Sequence, residues 1–115
     1  NEADELLRRA SAAGEVRHRL HGVWGLGQLA RSDRGVLSKL IPLLDDPEFW
    51  LRANVAKVLG NAKFTEAGTA LIARLKDPEA HVRAQAAIAL GKLALPEARD
   101  GLLQLLRDAG ETDPT

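Results

Sequence analysis

The chain contains no cysteine. That excludes a disulfide framework, a thiolate nucleophile and a thiolate metal site, and it removes redox chemistry as a guide to compartment. An excess of either charge is also missing: sixteen basic residues face sixteen acidic ones. The balance holds within each half, with nine Lys/Arg against eight Asp/Glu over residues 1–57 and seven against eight over the remainder. No net field therefore draws the chain toward nucleic acid or an anionic membrane. Aromatic residues are scarce, two Trp and two Phe, which is few for the base-stacking platforms that bind single strands. No apolar run approaches the roughly 18–20 residues that cross a bilayer, and nothing near Asn1 has the layout of a signal peptide. Because the first residue is Asn, we expect a piece of a longer protein, with its targeting signal elsewhere. A length of 115 residues predicts one domain with a modest core.

Set against these absences is an internal repetition. "DPEFWLRANVAKVLG" from Asp46 and "DPEAHVRAQAAIALG" from Asp77 superpose Arg52 on Arg83, Ala56 on Ala87, Leu59 on Leu90 and Gly60 on Gly91. A fainter upstream copy, "EVRHRLHGVWGLGQL", places Glu15, Arg19, Val23, Leu26 and Gly27 over Glu48, Arg52, Ala56, Leu59 and Gly60. The shift grows by two residues there, which locates a short insertion in "ARSDRG". Each copy is followed by a second element: Leu40, Ile41, Leu44 and Asp46 align with Leu71, Ile72, Leu75 and Asp77, then with Leu102, Leu103, Leu106 and Asp108. The unit has two parts.

Both parts read as helices. Val82, Ala86, Leu90 and Leu93 recur at spacings of three and four, without strand-type alternation. Asp46 and Asp77 each precede Pro and Glu, which predicts aspartate N-caps followed by proline at the first helical position. First (A) helices are expected to begin near Glu15, Glu48 and Glu79, and second (B) helices to cover 34–45, 66–76 and 97–108. Pro42 should kink the first of these B-helices. "DELLRRASAAGE", with Leu7 over Leu40, reads as a further B-helix. The expected organisation is one domain over 1–115: a half repeat 1–13, repeats 14–45, 46–76 and 77–108, and a tail 109–115. A helical pair of this size cannot bury its apolar stripe alone, so stacked pairs share a continuous core. The fold class is all-α, a right-handed alpha-alpha superhelix of about three and a half pairs. Ala and Gly in the A-helices (Gly22, Gly25, Ala53, Ala86) permit close stacking.

"DPEAHVRAQAAIALGKL" followed by "ARDGLLQLLRD" resembles a HEAT-like repeat of the phycobilisome-lyase type, over nearly the whole chain. The resemblance implies a structural ladder in which Asp46 and Asp77 link with Arg19, Arg52 and Arg83. A narrower resemblance concerns "RHRLHGVWGLGQLAR", which is similar to helical repeats of large bacterial secreted proteins that join a sugar-dehydrogenase-like propeller to a c-type haem domain. It implies a connector segment in a periplasmic or secreted parent whose redox chemistry lies in other domains; without it a cytoplasmic location is equally open.

Candidate functional residues follow from the alignment. His18 and His21 form an HxxH pair, but the repeat places His18 at the core-facing slot of Leu51 and Val82 and His21 at the outward slot of Asn54 and Gln85. They are expected to diverge, and no metal is assigned. His81 falls at an outward slot. No nucleophile is paired with a base, and no glycine-rich loop follows a strand, so no catalytic or cofactor-binding residue is assigned. The outward A-helix face carries Arg17, His21, Trp24, Trp50, Asn54 and Lys57, in which Trp24 stands where the next copy carries Lys57 and Trp50 where the other copies carry Arg17 and His81, and large exposed rings are a feature of interfaces. The B-helices are expected to expose a concave face with Ser38, Thr69, Arg74, Asp100 and Gln104, together with Pro42, Ala73, Leu43 and Leu105. That face lacks the basic stripe of a DNA-reading groove. The preferred reading is an interaction scaffold bound to another domain of its parent or to a protein partner, with end-to-end self-association through its uncapped ends. The alternative is an accessory enzyme of bilin-lyase type. Neither nucleic-acid binding nor membrane insertion is expected.

Overall fold

The computed structural model describes residues 2–11 and 15–112. The order of elements is α1 (Glu2–Ser11), α2 (Val16–Leu29), a 3-10 helix (Arg34–Asp45), α3 (Phe49–Asn61), α4 (Gly68–Ala73) flanked by 3-10 turns Thr65–Ala67 and Arg74–Lys76, α5 (Ala80–Leu93), a 3-10 turn (Pro96–Ala98) and α6 (Arg99–Thr112). Among the described residues there is no strand. The chain is an all-α helical repeat, drawn out to 50 × 29 × 16 Å. Parts of the expected half repeat (1, 12 and 13) and of the tail (113–115) lie outside the described residues.

The repeated apolar positions make the core. Leu26, Leu59 and Leu90, equivalent in the three A-helices, are all buried, and each contributes roughly 1.5–3 kcal/mol relative to exposure. Val36, Leu37, Leu40 and Leu44 of the 3-10 helix, then Leu71 and Leu75, fill the other side of the same core. Glycine sets how closely the helices cross. A methyl group on Gly22 would lie 2.5 Å from Ala10 N and from Leu6 O, so α1 crosses α2 backbone to backbone. On Gly60 it would lie 2.6 Å from Ala89 Cα, which brings α3 and α5 equally close.

Five expectations change. The aspartates are not at the N-cap positions: α3 and α5 start at Phe49 and Ala80, preceded by Glu48 and Glu79 in extended conformation, whose side chains make no cap hydrogen bond. Asp46 and Asp77 instead accept the Glu48 and Glu79 N–H groups, each at 2.9 Å, holding Pro47 and Pro78 in a turn ahead of the helix, because their carboxylates are also committed to arginines of the preceding units. The segment Arg34–Asp45 is a 3-10 helix throughout rather than a kinked α-helix; Pro42 cannot extend an α-type ladder. A 3-10 helix turns faster than an α-helix, and this rotates Leu43, expected on the exposed face, into the core at 8% exposure. His18 is exposed, not core-facing. Its equivalents Leu51 and Val82 lie in helices that have an A-helix before them, whereas among the described residues only α1 precedes α2. Finally, α6 runs through Asp108 to Thr112, since Asp108 is not followed by the proline that stops the other two units.

Candidate functional site

One buried polar row links the units. Arg19 of α2 donates to Asp46 through both terminal nitrogens, Nη1 to Oδ1 at 3.2 Å and Nη2 to Oδ2, and its Nε donates to the Ala10 carbonyl at 2.9 Å. Arg52 of α3 repeats the pattern on Asp77, Nε to Oδ2 at 2.8 Å and Nη2 to Oδ1 at 2.9 Å, while Nη1 donates to the Asp46 carbonyl at 2.8 Å. Arg74 adds a second cation at Asp77 Oδ2, 3.1 Å away. Burial pushes the Asp77 carboxyl up, but hydrogen bonds from Arg52 and the Glu79 N–H, with the Arg52 and Arg74 charges, more than offset it and hold it below the usual aspartate range. The hydrogen bond to Asp77 likewise raises Arg52. Arg83 of α5 keeps only part of the pattern: Nη1 donates to the Asp77 carbonyl at 2.7 Å, and among the described residues no carboxylate pairs with it.

The two tryptophans occupy different settings. Trp50 is half-buried; the Arg19 guanidinium lies 5.7 Å from its ring centre, and its Nε1 donates to Glu48 Oε2 at 3.1 Å. It roofs the first arginine of the polar row. Trp24 is 46% exposed, with Nε1 donating to Asn54 Oδ1 at 3.3 Å, while Asn54 Nδ2 donates to the Trp50 carbonyl at 2.8 Å. His21 lies beside it, ring centres 6.4 Å apart. Arg17 and Trp24 border one cleft, whereas Trp50 borders another with Arg19 and Asp46. Trp24 and Trp50 thus border different clefts and are linked through Asn54.

Trp24 also forms the rim of a groove of about 430 Å³ between α2 and α3, lined by Gly27, Val58 and the cations Arg31, Arg34 and Lys57. The groove is open for a steric reason. Gly27 and Gly60 are equivalent, but Gly27 faces Val58, whose Cγ1 would be 2.9 Å from an added methyl, while Gly60 faces the smaller Ala89. The isopropyl group wedges α2 from α3, and the corresponding cleft between α3 and α5 is about 180 Å³. The alignment located the insertion in "ARSDRG" but assigned nothing to its arginines. These are the cations it brings to the groove, with Arg34 Nη2 anchored on the Ala62 carbonyl at 3.0 Å.

On the B side, Ser38, Thr69, Asp100 and Gln104 are exposed. Ser38 Oγ donates to Gly35 O at 2.9 Å. Arg74 is drawn down by Asp77 and is half-buried, as is Leu105. His18, His21 and His81 are all exposed, and among the described residues no group of three His, Asp or Glu side chains converges. Among the same residues no helix is long and apolar enough to cross a membrane.

No curated protein matches the chain significantly. A family model for HEAT repeats matches residues 37–113, more than half of the chain. With the stacked helical pairs and the recurring Asp and Arg rungs described above, that match places this chain in the HEAT-repeat family.

Proposed function

We propose that the chain is a non-catalytic scaffold whose α2–α3 groove receives a protein partner, either another domain of its parent or a separate protein, through an acidic segment carrying an apolar side chain. HEAT repeats generally mediate protein–protein contacts and are typically non-catalytic. The observation that carries the reading is Trp24, a large ring left 46% exposed at the rim of a groove whose charged lining is Arg31, Arg34 and Lys57. An exposed indole next to arginine and lysine is the usual composition of an interface anchor with steering charge. Among the described residues that line this groove the titratable side chains are all cationic, Arg31, Arg34 and Lys57, a lining that suits an acidic partner. Within the family we assign the repeats to the phycobilisome-lyase type from the "DPEAHVRAQAAIALGKL" motif, and we read the segment as a connector in a larger protein.

Selection of peptides from a random library displayed on phage tests the reading. Peptides enriched on the chain should be acidic with one or more apolar anchors, and should lose binding to the Trp24→Ala and Lys57→Glu variants. Enrichment of neutral or basic peptides, or of peptides indifferent to both substitutions, would overturn it.

A further inference from the structure

The surface at α2 is open on both sides of Trp24. Val16, Leu20 and Trp24 recur every fourth residue and form one row along the helix. Val16 is 47% exposed and Trp24 46%, and Leu20 between them is half-buried. In the next repeat the equivalent of Leu20 is Ala53, 1% exposed, so the stack closes over that position. Toward the start of α2, Glu15, Val16, Arg17 and Leu20 line a cleft of about 470 Å³. Toward its end lies the groove of about 430 Å³ that holds Arg31, Arg34 and Lys57. Trp24 borders both, yet the linings differ. The charges of Glu15 and Arg17 cancel and the rest of that cleft is apolar, whereas among the described residues none of the three groove cations pairs with a carboxylate.

We propose that the partner of this surface is an amphipathic helix lying along α2, an inference that rests on the acidic-partner reading of the groove. One end of that helix places two apolar side chains, one turn apart, over Val16 and Leu20. The other end places acidic side chains over Arg31, Arg34 and Lys57. A helix suits the surface because Val16, Leu20 and Trp24 form an i±4 ridge, the feature that the ridges of a second helix straddle, and anchors one turn apart are how a helix reads a groove. The spacing follows from α2 itself. Leu20 and the last helical residue, Leu29, are nine residues apart, about 14 Å at the α-helical rise. The apolar and acidic ends of the partner are therefore two to three turns apart. Charge complementarity fixes which end lies where: in the inverted arrangement the acids would face Val16 and Leu20, and the apolar groups would face three cations. Trp24, between the two clefts, packs against the middle of the partner helix. Both clefts must be filled by one ligand for the row to be covered.

The probes are two peptides of about 17 residues and identical composition, held helical by lactam bridges because a free helix of this length is marginal in water. In the first, a pair of leucines one turn apart is separated from a pair of glutamates by two to three turns. In the second, the glutamates directly flank the leucines. Each is titrated into the isotope-labelled 115-residue chain and followed by NMR at the Val16 and Leu20 methyls and the Arg31 and Lys57 amides. The first peptide should shift all four saturably and bind about tenfold or more tightly than the second. Val16→Glu alters an exposed side chain in the first turn of α2, so the thermal melt should hold while the first peptide loses about tenfold in affinity. Equal affinity of the two peptides, or indifference of the first to a folded Val16→Glu chain, would overturn the inference and leave the acidic-partner reading of the groove standing. No saturable shift at Arg31 or Lys57 with either peptide would overturn that reading, and the inference with it.

Discussion

Arg52 grips Asp77 with two nearly parallel hydrogen bonds, of 2.8 and 2.9 Å, across the boundary between two repeats. Asp77 is 2% exposed and Arg52 8%, so neither charge has water to fall back on. Removing Asp77 leaves Arg52 buried with only backbone carbonyls, at a cost of about 3–5 kcal/mol, whereas removing Arg52 leaves Asp77 still held by Arg74 and the Glu79 N–H. Asp77→Ala should therefore lose stability of that order in urea unfolding and Arg52→Ala less. The double variant should lose less than the sum, because the second deletion removes a group that has already lost its main partner.

The same carboxylate makes stability depend on acid. The folded Asp77 titrates below the ordinary aspartate value, so its contribution is full above about pH 4, the unfolded value, and is lost as pH falls through the lower folded value. Unfolding free energy measured from pH 7 to pH 2 should drop below about pH 4 in the native chain. In an Asp77→Asn chain that part of the drop should be missing.

Equivalent glycines should respond oppositely to alanine. Gly60→Ala forces a methyl to within 2.6 Å of Ala89 Cα, and overpacking of this kind costs about 1–3 kcal/mol. Gly91→Ala enters open space in the last turn of α5 and should gain about 0.5 kcal/mol or less from helix propensity. Thermal melts of the two variants should therefore move in opposite directions from the parent.

The two indoles are distinguishable by light. A Trp50→Phe chain, retaining Trp24, should emit to the red and be quenched strongly by iodide, because Trp24 is 46% exposed. A Trp24→Phe chain, retaining the half-buried Trp50 stacked on Arg19, should emit to the blue and quench weakly. Equal quenching of the two would contradict the different settings described for them.

Much of the architecture was legible because repetition multiplies a weak signal. One Asp-Pro or one Leu at helical spacing says little, but Leu26, Leu59 and Leu90 recurring in register define a shared buried row. The N-caps were misplaced for a physical reason: Asp46 and Asp77 have the composition of caps, yet their carboxylates are pulled toward arginines in the preceding helices, an attraction that local propensity does not contain. Leu43 was misplaced because a face drawn at α-helical pitch does not survive three residues per turn.

The site was less legible. Trp24 was visible as an aromatic departure from the repeat, but Arg31 and Arg34 stand in an insertion that the alignment treats as slack. Whether two unaligned residues reach a groove depends on where the loop folds back, and the cleft is smaller at the next junction, where Ala89 rather than a valine meets the equivalent glycine.

By itself, the sequence determined that the chain is a stack of helical pairs with apolar rows on its inner faces, since periodicity and burial follow from residue type and spacing alone. Only the tertiary structure decided which junction opens and which rung lacks a partner. The first depends on the side chain that a neighbouring unit places opposite Gly27 and Gly60, the second on the carboxylate that meets Arg19 and Arg52 but, among the described residues, not Arg83; a contact between units is a property of their distance in space rather than along the chain.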